Sequence, residues 1–218
     1  MIVTIDGPAG AGKSTVAKML AARLGFEFLD TGAMYRSVAL ELHRRGGPER
    51  IADLVDWIDA LHLRFGPGQA WIGYEEVTPL IRSGEVTSLV SLVAEHPKVR
   101  EKLVGIQKSY GVGRSLVTEG RDQGSVVFPH AKCKFFLIAD VMERARRRHA
   151  ELVEKGQGIA METLAAQIAA RDHRDANRAI GPMVAAPDAI MVDSTALRID
   201  QVVELMEKTI RQRMPVAL

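Results

Sequence analysis

The sequence predicts an α/β fold in which helices cover both faces of a five-stranded parallel sheet, a three-layer α/β/α arrangement. Two observations predict it. Short apolar runs alternate along the chain with amphipathic segments of helical period, joined by short links, as in βαβ units. The first apolar run also leads directly into a glycine-rich turn and then a helix. With 218 residues, the chain suits one compact domain that carries an insertion.

Each strand is predicted from a short apolar run bounded by turn residues, and each helix from apolar residues recurring at i, i+3 and i+4. The predicted strands of the sheet cover residues 2–6, 26–30, 115–118, 135–139 and 189–192. The predicted helices around it cover residues 13–24, 33–45, 141–155, 161–178 and 199–213, with Gly156-Gln157-Gly158 dividing the third from the fourth.

The middle of the chain has a different pattern. Residues 61–65 and 69–74 alternate in polarity around Gly66-Pro67-Gly68, which predicts a small antiparallel hairpin. Helical patterns follow at 85–94 and 99–110. We interpret this part as a subdomain inserted into the parallel fold.

Composition narrows the class of protein. The net charge is only +2, whereas nucleic-acid-binding proteins usually carry a larger or more clustered basic excess, so we expect no nucleic-acid partner. No apolar stretch approaches the roughly 18 residues of a membrane span, and the N-terminus lacks the basic region of an export signal. Cys133 is the single cysteine, which fits a reducing compartment. We therefore expect a cytoplasmic protein without a membrane partner.

The glycine-rich turn fits the P-loop pattern G-x-x-x-x-G-K-[ST] at every fixed position, between a strand and a helix. Its glycines let backbone N–H groups point at a phosphate, and the helix N-terminus adds partial positive charge. Lys13 can reach the β- and γ-phosphates, and the Ser14 hydroxyl can ligate Mg²⁺. The sequence therefore predicts a nucleoside triphosphate site formed by Gly7, Pro8, Ala9, Gly10, Ala11, Gly12, Lys13, Ser14 and Thr15.

A P-loop does not by itself define a reaction. The guanine-binding pattern N-K-x-D of GTPases is absent from the sequence, and so is a long apolar strand ending in Asp-Glu, as in motor ATPases. Glu119 follows a predicted strand. It either holds a Mg²⁺-bound water there or is a solvent-facing carboxylate.

Scattered arginines favour phosphoryl transfer between two nucleotides, because both anionic partners need neutralising and arginine binds phosphate with a planar, permanently charged fork. These arginines are Arg36, Arg100, Arg121, Arg171, Arg174 and Arg178. The last three are spaced i, i+3, i+7, which predicts one face of a helix. The alternative is a solvated basic face paired with Asp172 and Asp175. The run Arg144, Arg146, Arg147, Arg148 is open to both interpretations.

These residues together resemble the bacterial-type cytidylate kinases, a family of P-loop nucleoside monophosphate kinases, essentially from end to end. The segments that carry the resemblance are TIDGPAGAGK at 4–13, LDTGAMYR at 29–36, PKVRE at 97–101, EGRDQGSVVFP at 119–129 and RDHRDANR at 171–178. The second and fourth depart from the common pattern at Thr31, Glu119 and Gln123, where serine, aspartate and an apolar residue are usual.

The resemblance implies transfer of the γ-phosphoryl group of ATP to CMP or dCMP, with Mg²⁺ held by Ser14 and, through water, by Glu119. It implies that Asp122, Arg100 and Ser91 bind cytosine. A carboxylate suits the 4-amino group of cytosine, whereas uracil presents an acceptor there. The remaining implied roles are Arg36, Arg121 and Arg178 on the acceptor phosphate, Arg171 and Asp175 on the ribose, and Lys13, Arg121, Arg174 and Arg178 in catalysis.

The resemblance also implies a division of the chain. The core would comprise residues 1–47, 111–154 and 182–218, with a monophosphate-binding insert at about 48–110 and a helical lid at about 155–181. We expect a monomer whose partners are small nucleotides. Two alternatives remain open: a kinase for another nucleotide, such as UMP or AMP, and a nucleotide-binding regulator with a degenerate second site.

Overall fold

The computed structural model describes residues 1–66, 68–154, 156 and 158–213. Its eight strands are, in chain order, β1 (Ile2–Asp6), β2 (Glu27–Asp30), β3 (Leu63–Gly66), β4 (Gln69–Ile72), β5 (Glu75–Glu76), β6 (Leu116–Gly120), β7 (Cys133–Ile138) and β8 (Ile190–Asp193). Five of them form a parallel sheet in the order β2-β6-β1-β7-β8. The predicted five-stranded parallel sheet is confirmed.

Helices cover both faces of this sheet. They are α1 (Lys13–Leu24), α2 (Thr31–Arg44), α3 (Leu54–Trp57), α4 (Gly84–Glu95), α5 (Pro97–Gly111), α6 (Val141–Glu154), α7 (Met161–Asn177) and α8 (Ile199–Arg213). One apolar core joins α2, α4 and α5 to one face of the sheet, and the other joins α1 and α8 to the opposite face. A smaller cluster around Ala145, Leu152 and Leu164 packs α6 against α7.

The middle segment contains a small antiparallel sheet, and the hairpin that the alternating pattern predicted is confirmed. β3 and β4 pair antiparallel, and the two-residue β5 adds a third strand that the sequence did not predict. A 3₁₀ helix at Pro48–Asp53 and α3 precede this sheet. Pro67 in the hairpin turn, Gln157, and the predicted helix end at Lys155 lie outside the described residues.

Several boundaries differ from the prediction. α2 begins at Thr31 rather than residue 33, because the Asp30 carboxylate accepts from the Ala33 N–H and caps the helix. β6 extends to Gly120, and α7 ends at Asn177, one residue before the predicted end. Among the described helices, none is long and apolar enough to cross a membrane.

Candidate functional site

The register of the central strands brings their carboxyl ends together. Asp6 at the end of β1 lies opposite Gly120 of β6, and Asp30 at the end of β2 lies opposite Glu119. In parallel α/β sheets ligands bind in the crevice beyond these strand ends. The chain that follows β1, β2 and β6 therefore borders one crevice, and it includes residues 7–15, Arg121 and Asp122.

The P-loop follows β1 with the backbone that the glycine pattern predicted. Gly7, Gly10 and Gly12 all have positive φ, at 140°, 77° and 91°. A Cβ atom on Gly7 would lie 2.1 Å from the carbonyl oxygen of Leu137 in β7, so only glycine fits there. Gly12 caps the N-terminus of α1, and this leaves the first N–H groups of that helix directed at the loop.

Lys13 and Ser14 begin α1 on the inner side of the loop. Lys13 is buried, and its Nζ donates to the carbonyl oxygen of Pro8 at 2.7 Å. Burial, with the nearby charge of Arg121 added, lowers the pKa of Lys13 to about 7. The Ser14 hydroxyl donates to Glu119 Oε1 at 3.0 Å. The two residues predicted to hold Mg²⁺ are thus in contact.

Glu119 is buried rather than solvent-facing, which contradicts the alternative of a solvated strand-end carboxylate. Burial, with the charge of Asp30 added, raises its pKa above the ordinary value. The Thr31 hydroxyl, at the start of α2, donates to the Glu119 carbonyl at 2.6 Å and fixes the strand end beside α2.

A buried turn follows β6 and is held by Asp6. The carboxylate of Asp6 accepts from the backbone N–H groups of Gln123 at 2.8 Å and Gly124 at 2.7 Å. Gln123–Val127 forms a π-helical turn, and Asp122 precedes it. Although the two N–H groups oppose it, burial raises the pKa of Asp6 to about 6. Asp6 thereby fixes the direction in which Asp122 leaves the strand.

Asp122 and Arg100 form a buried ion pair at the start of this turn, with Arg100 Nη2 donating to Asp122 Oδ2. Arg100 Nη1 also donates to the Tyr35 hydroxyl at 3.3 Å. Gly181 lies directly over the pair, because a Cβ at that position would approach both side chains within 2.5 Å. Two residues predicted to recognise a base are therefore brought together, although they come from different elements.

Arg121 points to α7 instead. Its Nε donates to Asp175 Oδ2 at 2.8 Å, and the Arg171 Nε lies 3.9 Å from the same oxygen. Burial lowers the pKa of Arg121, but Asp175 outweighs it and holds that pKa above its ordinary value. The same carboxylate of Asp175, together with Asp172, compensates only in part for the burial of Arg171. Burial, followed by the charge of Arg121, lowers its pKa to about 10. This cluster is rich in positive charge before any ligand binds.

The prediction that Arg171, Arg174 and Arg178 lie on one face of a helix is wrong. Arg178 lies beyond the end of α7, with φ −58° and ψ 139°, and helical spacing no longer applies to it. It is buried, and its Nη2 donates to the Gly181 carbonyl at 2.5 Å. Arg174 is exposed and, in the part of the chain that is described, forms no ion pair.

Arg36 lies on α2 and Ser91 on α4, two helices that share one apolar core. Arg36 Nη1 donates to the Thr87 hydroxyl of α4 at 2.7 Å, and burial lowers the pKa of Arg36. Ser91, one turn further along α4, is buried. Arg36 therefore links α2 to α4.

The arginine run of α6 divides into two kinds. Arg144 is buried, and its Nη1 donates to the P-loop carbonyl of Ala9 at 2.9 Å. Arg147 Nη2 donates to the Ser194 carbonyl at 2.7 Å. The other two form exposed pairs one turn away on the same helix, Arg146 with Glu143 and Arg148 with Glu151.

Sequence reasoning missed three members of the site. Asp6 gave one signal, an acidic residue ending a buried strand. The sequence around Tyr35 contains no signal of a site residue beyond its place on α2. Asp172 entered only as a partner in a solvated face, whereas its Oδ1 accepts from the P-loop N–H of Ala9 at 3.2 Å. Such contacts join residues up to 163 positions apart, which local patterns do not reveal.

A solved structure with low identity shares this fold. A crystal structure of an uncharacterised protein from Eubacterium ventriosum ATCC 27560 covers 98% of this chain and 99% of that chain, with a TM-score of 0.54 and 15% identity. At that identity the likeness concerns the fold alone.

Sequence relatives are much nearer. A curated cytidylate kinase of Rhodopirellula baltica is 42% identical over 97% of this chain and 93% of its own. Cytidylate kinases of Streptococcus pneumoniae strain 70585 and Fervidobacterium nodosum are each 43% identical, over 97% of this chain and 98% and 96% of theirs. The sequence profile described as cytidylate kinase matches residues 3–212. This chain belongs to the cytidylate kinase family.

Proposed function

We propose that the chain transfers the γ-phosphoryl group of ATP to CMP or dCMP, giving ADP and CDP or dCDP. The observation that carries the proposal is the buried Arg100–Asp122 pair. Asp122 lies three residues after Glu119, whose carboxylate accepts from Ser14 of the P-loop. The pair presents a carboxylate and a guanidinium together, which match the 4-amino group of cytosine and its O2 and N3 acceptors. This arrangement supports a cytosine site next to a triphosphate site.

The donor side is the P-loop, residues 7–15. Its positive-φ glycines and the N-terminus of α1 suit a triphosphate, and Lys13 already donates to an oxygen of the loop itself. Lys13 would exchange the Pro8 carbonyl for a phosphate oxygen. A phosphate nearby favours the charged ammonium, so ATP would raise the pKa of Lys13 again.

The residues present fit Mg²⁺. The Ser14 hydroxyl oxygen lies 3.0 Å from Glu119 Oε1. The pKa of Glu119 is raised because the neighbouring positive charges do not offset the burial of its carboxylate. Across the described ranges no cluster of three or more acidic, histidine or cysteine side chains could hold a metal alone. Mg²⁺ commonly binds through one or two protein groups plus substrate phosphates and waters. When bound, it neutralises charge on the phosphates.

The acceptor side is assigned residue by residue. We assign Asp122, Arg100 and Ser91 to the base, with Asp122 accepting from the 4-amino group. We assign Arg171 and Asp175 to the ribose hydroxyls. We assign Arg36, Arg121 and Arg178 to the acceptor phosphate; the buried Nε of Arg178 has no partner within the described residues, as such a role requires.

Catalysis would consist of positioning and charge neutralisation, with no covalent intermediate. Lys13, Arg121 and Arg178 would stabilise charge on the moving phosphoryl group. Arg174 would reach it only after α7 moves, since its side chain is exposed here. We propose residues 48–110 as the insert that binds the monophosphate and 155–181 as the lid that excludes water. The monomeric state and cytoplasmic location remain predictions.

An acceptor panel tests this function. ADP release is followed by a coupled assay with Mg²⁺-ATP and CMP, dCMP, UMP or AMP as acceptor. We expect CMP and dCMP to give the highest kcat/KM. Poor turnover of both, or comparable turnover of UMP or AMP, would overturn the assignment. ATP binding without transfer to any acceptor would indicate a nucleotide-binding regulator instead.

A further inference from the structure

A carboxylate of the lid helix lies on the anion-binding side of the P-loop. Asp172 belongs to α7, and its Oδ1 accepts from the backbone N–H of Ala9 at 3.2 Å. Its Oδ2 accepts from Arg144 Nη1 at 2.5 Å. The side chain is 17% exposed, so the contact is largely shielded from water. One residue of α7 thus occupies a backbone N–H of the P-loop and the guanidinium of Arg144 on α6 at once.

Arg144 is the fixed member of this contact. Its Nε donates to the Ala139 carbonyl at 2.9 Å, and its Nη1 donates to the Ala9 carbonyl at 2.9 Å. Its Cβ lies 3.3 Å from where a Cβ on Gly10 would be, so the side chain packs on the loop. These bonds do not involve Asp172, and Arg144 therefore keeps its place when Asp172 leaves.

A backbone N–H of a P-loop together with a guanidinium is a donor set that binds phosphate oxygens. The two oxygens of Asp172 fill this set as two oxygens of a phosphate would. A carboxylate and a phosphate repel each other and cannot share the same donors. A triphosphate that reaches Ala9 and Arg144 must therefore displace Asp172.

We propose that Asp172 competes with the terminal phosphate of the donor nucleotide for the Ala9 N–H and Arg144. This rests on the proposed function, because it assumes a nucleoside triphosphate in the P-loop. In the nucleotide-free chain Asp172 holds α7 against the loop. Arrival of the triphosphate releases Asp172 and leaves Arg144 positioned for the phosphate, so the position of the lid helix depends on donor binding.

Asp172→Asn tests the proposal, because asparagine keeps the shape and removes the charge. Binding of Mg²⁺-ATP and Mg²⁺-ADP to the nucleotide-free protein is measured by titration calorimetry without acceptor. We expect the variant to bind ATP about fivefold to tenfold more tightly, with ADP changed by less than about twofold. In steady-state kinetics the KM for ATP should fall while the KM for CMP stays unchanged.

Three outcomes would overturn it. Weaker ATP binding would show that Asp172 merely supports Arg144. Equal tightening of ATP and ADP would show a general effect of charge, and no change would show no competition. Glu151→Gln is the matched control, since Glu151 forms an exposed pair with Arg148 on α6 and should leave both affinities unchanged.

A second variant and a separate turnover assay complete the test. Asp172→Ser, also neutral, gives the same comparison if asparagine disturbs folding, which the thermal midpoint reports. Turnover of CMP by the unaltered protein is measured separately. Since ATP binding is read without acceptor, failure of the competition and failure of the proposed reaction are distinguished.

Discussion

Arg100 and Asp122 neutralise each other at the start of the turn that follows β6, where their side chains are 4% and 5% exposed. Burying two charges costs desolvation energy that their mutual attraction only partly recovers, so such a pair is weak support for stability. We propose that its value here is recognition. Both groups present hydrogen-bonding atoms whose pattern matches cytosine and mismatches uracil.

Asp122→Asn should therefore lower the preference for cytosine. The amide offers a donor as well as an acceptor, so uracil is no longer opposed by a carboxylate. We expect the ratio of kcat/KM for CMP to that for UMP to fall by about 100-fold, with the KM for ATP nearly unchanged. Steady-state kinetics with both acceptors measures this ratio.

Asp200→Asn is its control, because Asp200 pairs with Arg198 in an exposed position on α8. It should leave the ratio unchanged. A preference for CMP that survives in Asp122→Asn would contradict the assignment of Asp122, provided that the thermal midpoint shows a folded protein.

Gly181→Ala should impair acceptor binding. A Cβ at residue 181 would lie 2.1 Å from Arg100 Nη2, so the methyl group must displace the ion pair. We expect the KM for CMP to rise about tenfold or more while the KM for ATP is little changed. Gly73→Ala is a matched control. Gly73 has the same φ of 59°, yet nothing lies within 4 Å of its Cβ position.

Both alanine variants carry the backbone strain of a left-handed conformation, which costs about 1–2 kcal/mol. Only Gly181→Ala adds the clash. Thermal unfolding separates the two effects, and equal KM values for CMP in the two variants would show that residue 181 does not cover the acceptor site.

ATP affinity should depend on pH through Lys13. In the nucleotide-free chain burial lowers its pKa from 10.5 to about 7, whereas a bound phosphate favours the protonated form. Above pH 7 the binding of ATP is therefore accompanied by protonation of Lys13. The dissociation constant of ATP should rise with pH, by up to about tenfold per pH unit. Calorimetry in two buffers of different ionisation enthalpy counts the proton. The Lys13→Met variant should bind ATP weakly and take up no proton at residue 13. Proton uptake that persists in this variant would show that another residue takes up the proton.

Glu119→Gln should weaken the response to Mg²⁺. The amide cannot orient a metal-bound water as a carboxylate does, so we expect the Mg²⁺ concentration for half-maximal rate to rise about tenfold to 100-fold. ATP binding without Mg²⁺ should not weaken, because a buried carboxylate whose pKa is raised has been removed. The two titrations together decide whether Glu119 acts on the metal or on ATP directly.

Local patterns predicted the parallel sheet and the P-loop because both depend on nearby residues. The strands are continuous apolar runs, and the positive φ values at Gly7, Gly10 and Gly12 follow from a spacing visible in the sequence. Helical spacing failed where it was extended too far. Helical spacing predicts Arg178 on the face of α7 with Arg171, but α7 ends at Asn177.

The contacts of the site could not be predicted in the same way. Arg100 and Asp122 are 22 positions apart, and Arg121 and Asp175 are 54 apart. Which arginine meets which carboxylate depends on how α5 and α7 pack beside the sheet, and no local propensity determines that. Asp172 was the residue most easily misjudged, since its partner is a backbone N–H across the crevice.

The most direct test of the central claim is to follow the phosphoryl group itself. The protein is incubated with Mg²⁺, ATP labelled in the γ-phosphate, and equal concentrations of CMP and UMP, and the products are separated by chromatography. We predict that the label appears in CDP, in step with ADP formation and far ahead of any label in UDP. Label released mainly as inorganic phosphate, or divided evenly between CDP and UDP, would contradict the account.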